Sequence, residues 1–458
     1  MSKVTSNVIV DALKSEKTPI TLDRAGKYGR YLLLVLVLVL ILNKVDGVAL
    51  ALLLQDIKLD LHLTDTQLGL LTGIAFTLFY SVMGVPIARA ADRGNRIHII
   101  AVATALQCGA VALTGAATNF VNLLLIRVGV AVGEAGCVPP ANSLIAEHFE
   151  RAERPRATAI YMLGYPLSSV VGYCLAGYLN EIVGWRLTFV ILGLPGLALA
   201  VLVSMTLREP RRSAKRSHQS TQPRQDESPQ PPLLHVLTFL WRSRAYRHVL
   251  IGYSLVGLFG IGLWVWAPVL FVRNYGISTS ELGLWFALVW GGGGFVGTYL
   301  GGEFASRCAR QNERLQLISI AAIYLIFGPL AASIYLAPNH HIAFGLLALA
   351  GIAHYAVSGP LFATVQSLVP KEMRAMAVAT LNLSTNLIGM GLGPVIAGAM
   401  SDALVPHFSG FSLRYALLLL SPGFFWASWH LWKASVTVAD EIVIDAHDRT
   451  ASRMNVGL

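Results

Sequence analysis

Leu123-Leu-Leu-Ile-Arg127-Val-Gly-Val-Ala-Val-Gly-Glu134-Ala-Gly-Cys-Val-Pro139-Pro140 is apolar enough to lie in a bilayer, yet it carries Arg127 and Glu134. A charge centred in hydrocarbon costs at least about 2.5 kcal/mol, so such residues are rare and usually functional. The two charges stand seven residues apart. That is close to two helical turns, so both point the same way, about 10 Å apart along the axis. One face of this helix must therefore line something polar. Gly129, Gly133, Ala135 and Gly136 let another helix approach closely. Pro139-Pro140 predicts a bend just past Glu134. Two readings stay open: an ion pair that locks helices together, and a charge relay inside a transport pathway.

Outward from this stretch, runs of about 20 apolar residues recur along the whole chain, the signature of a polytopic helical membrane protein. Of its 458 residues 55% are hydrophobic and 13% charged, with mean hydropathy +0.60. A soluble domain carries about 25% charged residues. The runs are continuous rather than alternating, which argues against a barrel. Twelve spans are expected, near 31–54, 65–88, 97–117, 120–147, 156–180, 184–206, 246–272, 279–305, 315–336, 341–369, 374–402 and 412–434. The expected organisation is an N-terminal segment 1–30, a six-helix bundle 31–206, a linker 207–245, a second six-helix bundle 246–434 and a tail 435–458. Segment 1–30 is polar and does not make a cleavable signal peptide, because the first apolar run is too long and lacks a small-residue cleavage site. The linker is rich in Arg, Ser, Gln and Pro and cannot build a core.

The net charge of +10 reflects where Lys and Arg sit rather than an affinity for nucleic acid. With both termini inside, the termini and inner loops hold 29 of the 35 basic residues, and the outer loops hold four: Lys58, Arg186, Arg273 and Arg414. Lys44 and Arg127 are left within spans. This asymmetry predicts a multi-pass protein of the cell (inner or plasma) membrane with both termini cytoplasmic. The four cysteines have no metal-ligand spacing, and no cofactor or metal is expected. There is no HExxH and no GxSxG, so an intramembrane enzyme is the weaker reading; a sensor or scaffold is a further alternative. A monomer is expected.

The two halves repeat. Arg156-Ala-Thr-Ala-Ile opens the fifth span and Arg374-Ala-Met-Ala-Val the eleventh. Gly172-Tyr-Cys-Leu-Ala-Gly177 is echoed by Gly393-Pro-Val-Ile-Ala-Gly398, and Glu181 and Asp402 follow at equal distance. Two such bundles joined by an inner linker form a parallel repeat with a cavity between the halves. Pro86-Ile-Ala-Arg-Ala-Ala-Asp92-Arg93-Gly-Asn-Arg96 resembles the inner-loop signature of the major facilitator superfamily, with Ala88 and Asn95 where glycines are usual. The resemblance implies a cytoplasmic gate in which Asp92 caps a helix terminus and pairs with basic groups such as Arg93 and Arg96. In the second half Ser306 replaces the Asp, which implies a weaker latch.

The Arg127 to Glu134 stretch, with Ala141-Asn-Ser-Leu-Ile-Ala-Glu-His-Phe, Leu63-Thr-Asp-Thr-Gln-Leu-Gly-Leu-Leu-Thr-Gly73 and Gly184-Trp185-Arg186, resembles the spinster-type branch. That branch has an Asp-Arg pair in the first span. Asp46 matches the Asp, Gly47 replaces the Arg, and Lys44 either stands in or snorkels. The resemblance implies an all-α major facilitator fold and alternating access. It also implies proton-coupled secondary transport of a small amphipathic anion or lysolipid-like substrate. The candidate proton-coupling residues are Asp46, Glu134 and Arg127. Burial favours a neutral acid and a neighbouring guanidinium an ionised one, so moving Arg127 would switch either acid. The candidate substrate cavity is Arg127, Lys44, Tyr165, Trp266, His354 and Asn386, with interfacial anchoring, core packing or helix-to-helix hydrogen bonding as the plainer role of the last three.

Overall fold

The computed structural model describes residues 26–150, 153–209, 232–309 and 313–455. Most of the expected N-terminal segment and linker lies outside them. Every regular element among the described residues is helical. Nine helical stretches are long and apolar enough to cross a membrane. Two of them, Arg154–Thr206 and Arg374–Val438, fold back on themselves and supply two crossings each. With Thr279–Ala309, which is interrupted by a π-helical segment, the twelve spans are complete.

The sequence explains where the spans break. The first, Gly26–Leu61, ends at His62, whose φ of 52° leaves the helical region. Thr64 and Gln67 then form a capping box that starts the second span. The fourth is broken between Ala135 and Val138, and Pro139-Pro140 fall in the first turn of its second piece, where missing N–H groups cost nothing. The fifth and sixth meet at Gly184, where φ is 76°, a left-handed value that a side chain would resist.

The eighth and eleventh spans contain π-helical segments, Ala287–Gly292 and Asn386–Leu392. The equivalent second and fifth spans are instead interrupted by breaks at Gly73 and Leu163. A π segment shifts the face a helix presents and is common at functional sites.

The halves meet along the second and eleventh spans and along the fifth and eighth. Both seams are close. A Cβ on Gly177 would lie 2.3 Å from the Thr279 carbonyl oxygen, and one on Gly398 2.3 Å from that of Asp65. These are matched glycines of the sequence repeat, so the repeat encodes two equivalent contacts between backbones.

Candidate functional site

Between the halves lies a cavity of about 220 Å³. Its walls include Lys44 and Gly47 from the first span, Phe76 from the second, Arg127 and Glu134 from the fourth and Tyr165 from the fifth. The second half contributes Trp264, Tyr355 and Met390. All the charge is on the first half. Arg127 Nη1 donates to Asp46 Oδ2 at 2.6 Å, and Lys44 Nζ donates to Glu134 Oε1. The first and fourth spans therefore carry two ion pairs, with Arg127 4% and Asp46 2% exposed. Lys44 answers the question left by Gly47: it pairs with Glu134 rather than with Asp46. Tyr80 and Tyr165 flank its ammonium at 5.8 and 5.6 Å, and Phe76 lies 5.2 Å from the Arg127 guanidinium carbon. Rings at these distances stabilise cations that have lost water. The two pairs make the site neutral as a whole. A polar tie that sequence reasoning missed lies beside it: Asn43 Nδ2 donates to Gln107 Oε1 at 2.6 Å, and Gln107 Nε2 returns a bond to the Asn43 carbonyl at 2.8 Å.

The other candidate cavity residues are placed differently. Trp266 is 0% exposed, and its Nε1 donates to the Pro394 carbonyl at 3.0 Å. It is a tie between the seventh and eleventh spans, not a cavity wall. Asn386 opens a π-helical segment and is outside the cavity lining. His354 lines a second chamber inside the second half.

At the end where the linker joins, Arg96 is 1% exposed and pairs with Glu209 and Glu147, while its Nη1 donates to Ser143 Oγ at 2.9 Å. It clamps the third and fourth spans to the chain leaving the sixth. Arg93 is exposed. The Asp92 side chain lies outside the described residues; its backbone closes the second span. Asn95 caps the third span, its Oδ1 accepting from the Ile97 and His98 amides at 3.0 and 3.1 Å.

The opposite end holds a cluster that sequence reasoning passed over. Asp65 accepts from Lys58 at 2.5 Å, from Arg273 at 2.6 and 2.8 Å, and from Ser401 at 2.7 Å. Asp402 accepts from the Asp65 and Thr66 amides at 3.0 and 2.7 Å and from the Thr66 hydroxyl at 2.6 Å. Across the second seam, Glu181 accepts from the Ser280 amide at 2.9 Å, and Asn180 Nδ2 donates to Thr279 Oγ1 at 3.1 Å. Each repeat-matched acid thus sits at the start of a helix of the other half, where unpaired amides and the dipole favour a carboxylate. The side-chain hydrogen bonds that tie Gln55, Asp65, Thr66, Asn180 and Glu181 to the second half all lie at this end.

The Major Facilitator Superfamily profile matches residues 32–394. The chain belongs to the Major Facilitator Superfamily. Within it, the likeness is to the spinster-like branch. A bacterial homolog of the human lysosomal transporter Spinster, in an inward-facing and unoccupied conformation, superposes with a TM-score of 0.81 at 28% identity, covering 91% of this chain and 98% of that one. Human protein spinster homolog 1 is 26% identical over 82% of this chain and 74% of its own length. An MFS-type efflux pump of Mycolicibacterium smegmatis (strain ATCC 700084 / mc(2)155) is 31% identical over 84% of this chain and 87% of its own. The chain is thus a multi-pass membrane transporter of the superfamily.

Proposed function

We propose that this transporter is a proton-coupled secondary carrier of a small amphipathic organic anion. The observation that carries the reading is the Lys44–Glu134 ion pair on the cavity wall. Two cations and two carboxylates make the site neutral. An anionic head entering alone would leave a net negative charge in a poorly solvated cavity, which is costly. A proton on Glu134 removes that cost. It releases the Lys44 ammonium, which then pairs with the arriving carboxylate or phosphate, and the site stays neutral. Proton and anion therefore bind together. Asp46 and Arg127 keep their own pair and hold the first and fourth spans at the spacing the exchange needs. One proton carried with one monovalent anion moves no net charge, so the pH gradient drives the cycle: each pH unit is worth about 1.4 kcal/mol, roughly tenfold in accumulation.

In this reading the protein works by alternating access, with both termini and the linker in the cytoplasm. The Asp65–Arg273–Asp402 cluster and the Glu181 contact then form an outer gate. Their closure supports an inward-open form.

Reconstituted protein provides the test. Uptake of radiolabelled lysophosphatidate and of a radiolabelled medium-chain carboxylate is followed with and without a pH gradient, together with proton movement. Gradient-driven accumulation with protons moving in the same direction is expected. Gradient-independent uptake, or protons moving opposite to the anion, would overturn the release step.

A further inference from the structure

A second chamber of about 160 Å³ lies inside the second half, among the seventh to tenth and twelfth spans. It shares Trp264 and Tyr355 with the central cavity, so the two chambers meet at a common wall. Its lining is mostly rings: Trp264, Trp290, Tyr324, Phe327 and Phe424 besides Tyr355. No Asp, Glu, Lys or Arg is among the lining residues. Trp290 is placed there by the π-helical segment of the eighth span. His354 is the lining side chain with the most polar character. It makes an edge contact with Tyr355 at 5.6 Å between ring centres, and no hydrogen bond of its imidazole is found among the described residues. Trp290 Nε1 and Tyr324 Oη are also buried without partners.

Three features of the chamber restrict what it can hold. Its size matches that of a cavity of about 150 Å³ known to admit a benzene molecule, so it fits one ring and not a long acyl chain. Ring walls favour a ring, through stacked and edge-on contacts. The missing charges exclude an ionised group. Water is a poor tenant, because a buried water needs two to four polar partners, and Trp290 Nε1 and Tyr324 Oη present almost no accessible surface, which leaves His354.

We propose that this chamber receives the uncharged, ring-sized end of the transported amphiphile. That end is an aromatic ring bearing a hydrogen-bonding oxygen, which His354 engages while the anionic end stays with Lys44. The proposal rests on the central cavity being the substrate's route, and it sets a preference for aryl over alkyl members of the amphipathic anion class. Neutral imidazole has one donor and one acceptor nitrogen, so it can meet either a carbonyl or a hydroxyl on the ring.

Uncharged probes test the chamber independently of proton coupling and of the anionic head. Purified full-length protein in lipid nanodiscs is photolabelled with 4-azidoacetophenone, and the modified residues are mapped by mass spectrometry. Labelling should concentrate at residues 324–327, 354–355 and 424. Acetophenone should suppress it at least fivefold more effectively than ethylbenzene, which lacks the oxygen. Gly260 lines the chamber, and a Cβ there meets open space, so Gly260→Leu should fill the chamber without disturbing the bundle. It should cut labelling at least tenfold at an unchanged melting temperature. His354→Phe, which keeps a ring and removes the hydrogen bond, should abolish the preference for acetophenone. Labelling spread over lipid-facing residues, or unaltered in Gly260→Leu, would overturn the chamber as a binding site. Equal competition by ethylbenzene would overturn the role of His354. If the chamber labels as expected while gradient-driven transport is absent, the coupling reading fails and the binding site stands.

Discussion

The two halves share a fold and divide the chemistry. The first half places Lys44, Asp46, Arg127 and Glu134 in two ion pairs around the central cavity. The second half presents tryptophan, tyrosine and phenylalanine, with the His354 imidazole at the chamber. The repeat survives where backbones must meet, at Gly177 and Gly398, and at the acids Glu181 and Asp402 that follow them. It is lost where a ligand would be handled. In the proposed cycle both seams open, which accounts for their matched contacts, and an amphipathic ligand would meet two unlike walls.

The sharpest way to break this contrast is to remove a buried charge. Arg127→Ala leaves Asp46, 2% exposed, without its cation. Breaking a buried pair from one side costs about 3–5 kcal/mol. A large fall in thermal stability in detergent and loss of transport are expected. Replacing both partners with leucine should restore much of the stability but not the transport, and recovery of transport in that double variant would show the pair to be only structural. In the second half, Tyr324→Phe removes a hydroxyl that has no partner, so stability should be unchanged or slightly higher.

Glu134→Gln separates folding from coupling. Glutamine keeps the shape and can still accept from Lys44, but it cannot cycle a proton. Gradient-driven uptake should fall at least tenfold while counterflow exchange persists. A variant that accumulated substrate as well as the parent would remove Glu134 from the coupling step.

How much of this could be read from the chain depends on which force decides each feature. The bilayer fixes span length and apolarity, so the twelve crossings and the all-α fold follow from hydropathy alone. Helical geometry placed Arg127 and Glu134 on one face, and both line the cavity. The pairing pattern was not legible. Lys44 and Asp46 are two residues apart and start on nearly opposite sides of their helix, yet both reach the fourth span, because a lysine stem is long enough to wrap round. The sequence leaves Trp266 as a cavity wall or a core residue, and packing favours the second, its indole being spent on the Pro394 carbonyl. Asp65 lies in plain view within Leu63 to Gly73, but its four partners, Lys58, Arg273, Ser401 and Asp402, come from three separate stretches of chain.

The next expected effect is at the gate. Asp402 makes three hydrogen bonds to the start of the second span, two of them to backbone amides. Bonds to a charged acceptor are worth about 1.5–3 kcal/mol each, and asparagine retains part of that. A net shift of about 1.4 kcal/mol toward the form open at this end is tenfold in population. Spin labels at the exposed positions Leu59 and Phe408, in a protein whose native cysteines are replaced by alanine, would report it. Asp402→Asn should increase the long-distance fraction about tenfold, and an unchanged distribution would mean the bonds only cap the helix.

The smallest effect belongs to the matching acid of the other seam. Glu181 occupies the position of Asp402 in the repeat, but it accepts one backbone bond, from Ser280, and is exposed to solvent. Solvent screens its charge, so the contact is worth less than about 1 kcal/mol and weakens with salt. Asn180 and Thr279 beside it hold the seam through an uncharged bond that a change at Glu181 leaves in place. Glu181→Gln should therefore raise the open fraction no more than about threefold, and raising salt from 50 mM to 0.5 M should erase the difference. The Asp402→Asn shift should survive the same salt, because Asp402 is half-buried beside the Arg273–Asp65 pair. Equal shifts for the two variants would mean that the gate opens as one symmetric unit. A larger shift for Asp402→Asn would place the controlling contact at the seam of the second and eleventh spans. That seam runs from the cluster down to Gly73 and Gly391, beside the cavity residues Thr72 and Met390. A ligand at the cavity would then act on the gate through the backbone of the second span, the element that also carries Asp65.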